Sequence, residues 1–156
     1  MKTLILGIGN PILQNDSVGL RVADELEAQI ADPEIAVDTA YTGGLNLLDC
    51  LRGFDKVILI DAVNDAKQMG TVSRYPLTDL PNGHSCNLHD CSLQEALQFA
   101  RALGDTNLPK DIVVIGISVP RSEEFGETLS PPVSDAIAQV VATVLTEVAP
   151  QRRRQP

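Results

Sequence analysis

Three residues in this sequence carry side chains able to act together on one substrate: Asp16, Asp61 and His89. Asp16 lies in the glycine-rich stretch Gly7-Ile8-Gly9-Asn10-Pro11-Ile12-Leu13-Gln14-Asn15-Asp16-Ser17-Val18-Gly19, directly after the apolar run Thr3-Leu4-Ile5-Leu6. Asp61 closes the run Val57-Ile58-Leu59-Ile60, and a charge that ends a buried strand usually faces a ligand crevice, not the core. His89 sits on a loop just before a helical stretch that opens at Ser92. Two carboxylates and an imidazole make an oxygen-oxygen-nitrogen donor set. Such a set suits a borderline divalent metal with positions left open for substrate or water. Taken singly, each has an ordinary reading: Asp16 as a helix N-cap, Asp61 as a solvated strand end, His89 as a surface histidine. Their joint placement at strand ends and helix starts weakens those readings, but spacing alone does not assemble the three.

The glycine-rich stretch invites a dinucleotide reading, which fails. The fingerprint requires G-x-G-x-x-G, and its third glycine position holds Ile12. A carboxylate at Asp16, near a helix N-terminus, would also compete with a pyrophosphate for the same backbone N–H groups. No nucleotide cofactor is expected.

The elements that must position these groups alternate along the chain. Lys2 to Ile8 reads as a first strand, and Val18, Val22, Leu26 and Ile30 mark one face of a helix capped by Asp16 or Ser17. Pro33 ends that helix, and Glu34 to Val37 reads as a short strand. The Thr42-Gly43-Gly44 turn leads into a helix over Leu45 to Leu51. Lys56 to Asp61 is the clearest buried strand, and the more polar Gly70 to Tyr75 reads as a strand nearer an edge. A loop from Asp79 to Leu88 precedes a helix with Ser92 and Glu95 as a capping box, ended by Gly104. Asp111 to Ser118 is the last core strand. Ser130-Pro131, an N-cap followed by an N1 proline, opens a helix to about Val148. The order β-α-β-α-β-β-α-β-α predicts an α/β fold: a three-layer α/β/α sandwich around a mostly parallel sheet.

Composition narrows the function. The 156 residues fit one domain, and 44% hydrophobic with only 3% aromatic residues implies an aliphatic core. A formal net charge of −9 argues against nucleic acid and anionic membrane as partners. The basic Gln151-Arg152-Arg153-Arg154-Gln155 is read as a solvated end, so residues 1–149 form the domain and 150–156 a basic, disordered tail. No apolar run approaches the length of a membrane span, and the N-terminus shows no signal-peptide pattern. Three cysteines, Cys50, Cys86 and Cys91, are an odd count, which fits a reducing cytoplasm better than a disulfide framework.

A set of segments taken in order resembles the hydrogenase maturation endopeptidase family. They are Gly7-x-Gly9-Asn10 with Asp16 and Gly19, Thr42-Gly43-Gly44, Val57-Ile58-Leu59-Ile60-Asp61-Ala62, His89, Gly116-Ile117 with Pro120, and Leu129-Ser130-Pro131. The resemblance covers about residues 1–148. It implies a peptidase that trims a C-terminal extension from the precursor of a nickel-iron hydrogenase large subunit after nickel insertion. The nickel would belong to that precursor, gripped jointly by substrate and enzyme. The metal-binding and catalytic residues carried over by motif are Asp16, Asp61 and His89. Gly9, Asn10, Thr42, Gly43 and Gly44 would seat the extended substrate chain, glycine permitting close backbone approach. The chain departs from the family in two places. Asn15 stands where an acidic residue is common, and Thr39-Ala40-Tyr41 stands where Asp-Gly-Gly is common, with Asp38 one position off.

Two other readings compete. Leu4 to Pro11 also resembles the opening of peptidyl-tRNA hydrolase, but Leu13-Gln14-Asn15-Asp16 lacks that family's catalytic histidine, and an acidic chain suits tRNA poorly. His84-x-Cys86-x-x-His89-x-Cys91 packs two histidines and two cysteines into eight residues, as a non-enzymatic metal-binding or metallochaperone module would require. Its spacing matches none of the common zinc patterns.

Overall fold

A computed structural model describes residues 1–12, 14–41, 45–77, 93–120, 126 and 128–152. Five strands form one sheet: β1 (Thr3–Ile8), β2 (Ile35–Ala40), β3 (Lys56–Val63), β4 (Val72–Pro76) and β5 (Asp111–Ser118). Their order is β2-β1-β3-β5-β4, parallel except for β4, which runs antiparallel to β5 along an edge. The helices are α1 (Val18–Gln29), α2 (Leu45–Leu51), α3 (Leu93–Ala102) and α4 (Pro131–Arg152).

Both faces of the sheet are covered, so the central strands carry continuous apolar runs instead of alternating ones. Along β3, Ile58 and Ile60 join one core with Ile5, Ile115, Val22 and Leu26 of α1, and Val140 and Val144 of α4. Val57 and Leu59 point the other way, into a second core with Leu6, Val114, Leu47 and Leu51 of α2, and Leu93 and Leu97 of α3. The expected three-layer sandwich is the observed one.

Glycines set the closest contact in the first layer. A Cβ on Gly19 would fall within 3.0 Å of the carbonyl oxygens of Ile8 and Ile60, and one on Gly7 within 3.0 Å of the Gly19 carbonyl and the Ala23 Cβ. The start of α1 therefore lies directly on the backbones of β1 and β3. At the other end of the chain's α3, Gly104 takes φ +92° while Asp105 donates its N–H to the Ala100 carbonyl, a Schellman closure.

Several boundaries differ from the sequence reading, each for a physical reason. β3 continues two residues past Asp61, because β5 pairs with it in register through Val63↔Ser118. β2 runs to Ala40, backed by β1 over all six residues. A 3-10 turn, Gln14–Ser17, precedes α1, and Ser17 at its N-cap position makes no side-chain capping bond. α4 extends to Arg152, past the boundary expected for the tail. Over Pro131–Ala149 it is also long and apolar enough to cross a membrane by length and composition, with mean hydropathy 1.2. The sequence reading had seen no such run. In the fold the apolarity is explained by packing, since Val133, Val140, Val141, Val144 and Val148 are buried against the sheet.

One ion cluster closes the base of the sheet. Glu147 of α4 accepts from Lys56 Nζ at 3.2 Å and from Arg74, and Lys56 Nζ also stands 3.7 Å from Asp111. Burial pushes the Glu147 carboxyl up, but the hydrogen bonds and charges of Arg74 and Lys56 outweigh it and hold it below its ordinary value. A carboxyl held down stabilises the fold above its unfolded value and loses that contribution as pH falls through the folded one. Glu147→Gln is therefore expected to cost about 1–2 kcal/mol at pH 7, Arg74 being half exposed and screened, and to converge with the parent in acid, once the folded carboxyl is protonated. Denaturant midpoints at pH 7 and in acid check this, and an unchanged gap at low pH would contradict it.

Candidate active site

In an open α/β sheet, ligands bind outside the carboxyl ends of the strands, where the connections turn in opposite directions. Here that point lies between β1 and β3: the chain leaves β1 outward to β2, then returns across it to β3. The turn that carries Asp16 packs against the strand that carries Asp61 there. The last β1–β3 pair is Gly7↔Ile60, so Asp61 is the first β3 residue beyond β1's reach. It is fully buried, and by strand alternation its side chain lies on the face of Val57 and Leu59, toward the α2 and α3 layer. Its buried placement inside a strand replaces the solvated strand end that was the ordinary reading.

Asp16 approaches from the loop after β1. Its Oδ2 accepts the N–H of Asn10 at 2.9 Å, and Asn10 Oδ1 in turn accepts the N–H of Ile12 at 3.1 Å, an Asx turn. Asp16 is thus no helix cap; its carboxylate is turned back to the end of β1. A Cβ on Gly9 would fall within 3.0 Å of the Asp16 carbonyl, so glycine at this buried position lets the turn fold onto the strand. Inside the turn, Ser17 Oγ donates to the Gln14 carbonyl at 2.6 Å, and Gln14 itself holds φ +30°. A non-glycine residue there costs about 1–3 kcal/mol and persists because neighbours fix it.

Those neighbours were invisible in the sequence. Asn15 is buried and bonds twice to Ser130, the residue before α4: its Nδ2 donates to Ser130 Oγ at 3.0 Å, and its Oδ1 accepts the Ser130 N–H at 2.8 Å. Gln14 N–H donates to the Gly126 carbonyl at 2.9 Å, and Gly126 N–H to the Ile12 carbonyl at 2.8 Å. Asn15 beside an aspartate in a glycine-rich loop was the sole signal, and nothing in it named a partner 115 residues away.

A second cluster fixes the chain after β3. Asp65 accepts from Ser118 Oγ at 2.7 Å, from the Tyr75 hydroxyl and from the Lys67 N–H at 3.1 Å. Burial pushes its carboxyl up, yet the bonds from Tyr75, Ser118 and Lys67, with the Lys67 charge, bring it below its ordinary value. The cluster ties the segment leaving β3 to the β4–β5 edge, which steadies the strand that carries Asp61.

Beside the Asp16 turn runs an open groove of about 270 Å³ between α1 and the end of β2, lined by Pro11, Ser17, Leu20, Arg21, Asp24 and Tyr41 among others. Ile12 and Tyr41 are large apolar residues left exposed at this end of the molecule, Tyr41 at 70%. Its mixed lining suits an extended polypeptide better than a small rigid ligand.

His89 lies outside the described residues, as do Thr42, Gly43 and Gly44 and the alternative cluster of His84, Cys86 and Cys91. Among the described residues, no group of three His, Cys, Asp or Glu is gathered to hold a metal ion. Asp38, one position off the family's pattern, accepts the N–H of Thr39 on its Oδ1 at 2.8 Å.

Comparison with known proteins bears on this arrangement. Residues 20–147 match a family model described as hydrogenase maturation protease. A hydrogenase expression/formation protein, HupD of Bradyrhizobium diazoefficiens, is 30% identical over 164 residues, spanning 99% of this chain and 84% of its own. The hydrogenase 2 maturation protease of Escherichia coli is 28% identical, over 93% of this chain and 89% of its own. Among solved structures, the hydrogenase maturating endopeptidase HybD from E. coli superposes with a TM-score of 0.78 at 25% identity, covering 97% of this chain and 94% of that one.

Proposed function

Because this chain belongs to the hydrogenase maturation protease family, we propose that it removes a C-terminal extension from a nickel-iron hydrogenase large-subunit precursor once nickel is in place. The observation that carries the reading is the packing of the Asp16 turn against the strand of Asp61 beside the crevice between β1 and β3. Two carboxylates, with His89 assigned by the family motif, supply hard oxygen donors and one nitrogen donor with no thiolate. That set holds a borderline divalent ion only moderately, which suits a metal that arrives and leaves with the substrate.

In this reading the nickel is part of the substrate. Asp16 and Asp61 grip it from two elements, one turn and one strand, and so place the nearby peptide bond against the crevice. A carboxylate not engaged with the ion, or the ion's own polarising effect on the scissile carbonyl, brings water to the bond. In the same reading Gly9 and Asn10 seat the extended chain, a role the family motif also assigns to Thr42, Gly43 and Gly44, and the chain continues into the groove beside Tyr41. A cytoplasmic location belongs to the same reading and is supported by the odd count of three cysteines.

The test is incubation of the purified protein with an unprocessed large subunit, with and without nickel, read by intact mass. Loss of a C-terminal fragment from the nickel-loaded precursor alone is the expected result. Equal cleavage of both forms would remove nickel from the recognition, and no cleavage across a panel of large subunits would remove the activity.

A further inference from the structure

We propose that Asn15 and Ser130 form a positioning clamp that holds the carboxylate of Asp16 in place by tying its turn to the first turn of α4. The inference deepens the role given above to Asp16 and rests on that reading, but its geometry stands by itself. The turn Gln14–Ser17 is gripped from opposite sides. On one side Asp16 Oδ2 holds the Asn10 N–H at the end of β1. On the other, the adjacent Asn15, only 7% exposed, exchanges two hydrogen bonds with Ser130. Gly126 adds two backbone bonds to residues 12 and 14 from the same approach. Consecutive side chains in a tight turn diverge widely, so fixing the amide of Asn15 fixes the direction in which Asp16 leaves the backbone.

The chemistry of the pair makes a specific demand. The Asn15 amide offers one acceptor and one donor, and Ser130 answers with its N–H and its hydroxyl oxygen. A hydroxyl can also donate. Asn15→Asp should therefore keep the clamp, because the Ser130 hydroxyl rotates to give its proton to the second carboxylate oxygen. The same substitution with Ser130→Ala leaves that oxygen buried without a donor. Rescue of position 15 by aspartate thus depends on Ser130, a signature that general loss of packing does not produce.

The experiment uses the full chain. Amide hydrogen exchange at Asn10, whose N–H is held by Asp16, reports the turn, while the amide of Leu59 reports the core. Asn15→Leu and Ser130→Ala are expected to speed exchange at Asn10 about tenfold or more with Leu59 unchanged, whereas Asn15→Asp stays near wild type and Asn15→Asp with Ser130→Ala does not. If Asn15→Leu fails to fold, Ser130→Ala, which keeps the Ser130 N–H bond, still decides. Precursor cleavage is expected to fall in the same rank order. Unchanged Asn10 exchange in the folded variants would overturn the clamp. Lost protection with full cleavage would overturn its role in positioning Asp16. Lost protection in the variants of a wild type that cuts no precursor would leave the clamp standing and sink the proposed activity instead.

Discussion

Asp61→Asn is expected to lower precursor cleavage by about 10²–10³-fold or more while the protein stays folded. The residue is fully enclosed at the first β3 position beyond β1, and asparagine matches its shape. The exchange therefore removes an anionic oxygen without opening a cavity, which Asp61→Ala would do. If the carboxylate grips an ion carried by the substrate, the loss appears in kcat/KM for the nickel-loaded precursor. Intact-mass kinetics give the rate, and thermal unfolding separates chemistry from folding. A variant that folds and cuts at the parent rate would strike Asp61 from the site, and with it the crevice as the place of reaction.

Gly19→Ala should produce the largest loss of stability from the smallest change. The added methyl meets the carbonyl oxygens of Ile8 and Ile60 at once. These atoms belong to the two most enclosed strands of the sheet, so neither can yield. The helix must lift instead, parting Val18, Val22 and Leu26 from the core they share with Ile58 and Ile60. Overpacking against backbone on two sides is expected to cost about 3 kcal/mol, near the upper end of such effects, and to lower Tm by about 6–12 °C. Urea titration measures it directly. A cost under about 1 kcal/mol would show that α1 can shift without penalty, contrary to its seat on both strands.

These two sites show how far the sequence could be read. The order of elements was legible because the central strands are largely apolar runs and the helices are periodic. Asp111–Ser118 and Leu45–Leu51 coincide with β5 and α2. What escaped depends on partners. The end of β3 is set by β5, not by its own residues, so Asp61 was read as a terminus when it is interior. The glycines of the opening stretch suggested a loop built to approach a ligand, and the nucleotide reading was rejected on the missing third glycine. The structure supplies what they are for: Gly7 and Gly19 seat a helix, and Gly9 folds a turn. Asp16 was legible as a chemical group but not in its direction, since the Asn10 N–H it holds belongs to a turn geometry no pattern announces. Asn15 was read only as a missing acid, because Ser130 lies 115 residues on.

That separation has a consequence for synthesis. Chains emerge from the ribosome N-terminal end first and fold as their partners become available. Asn15 of the Asp16 turn is translated 115 residues before Ser130, yet the atoms that fasten the turn are carried by Ser130 and Gly126. β5, which completes the pairing of β3, is likewise made late. A nascent chain halted before residue 130 would present its glycine-rich loop with no anchor. The crevice is thus finished only once β5 and Ser130 have appeared.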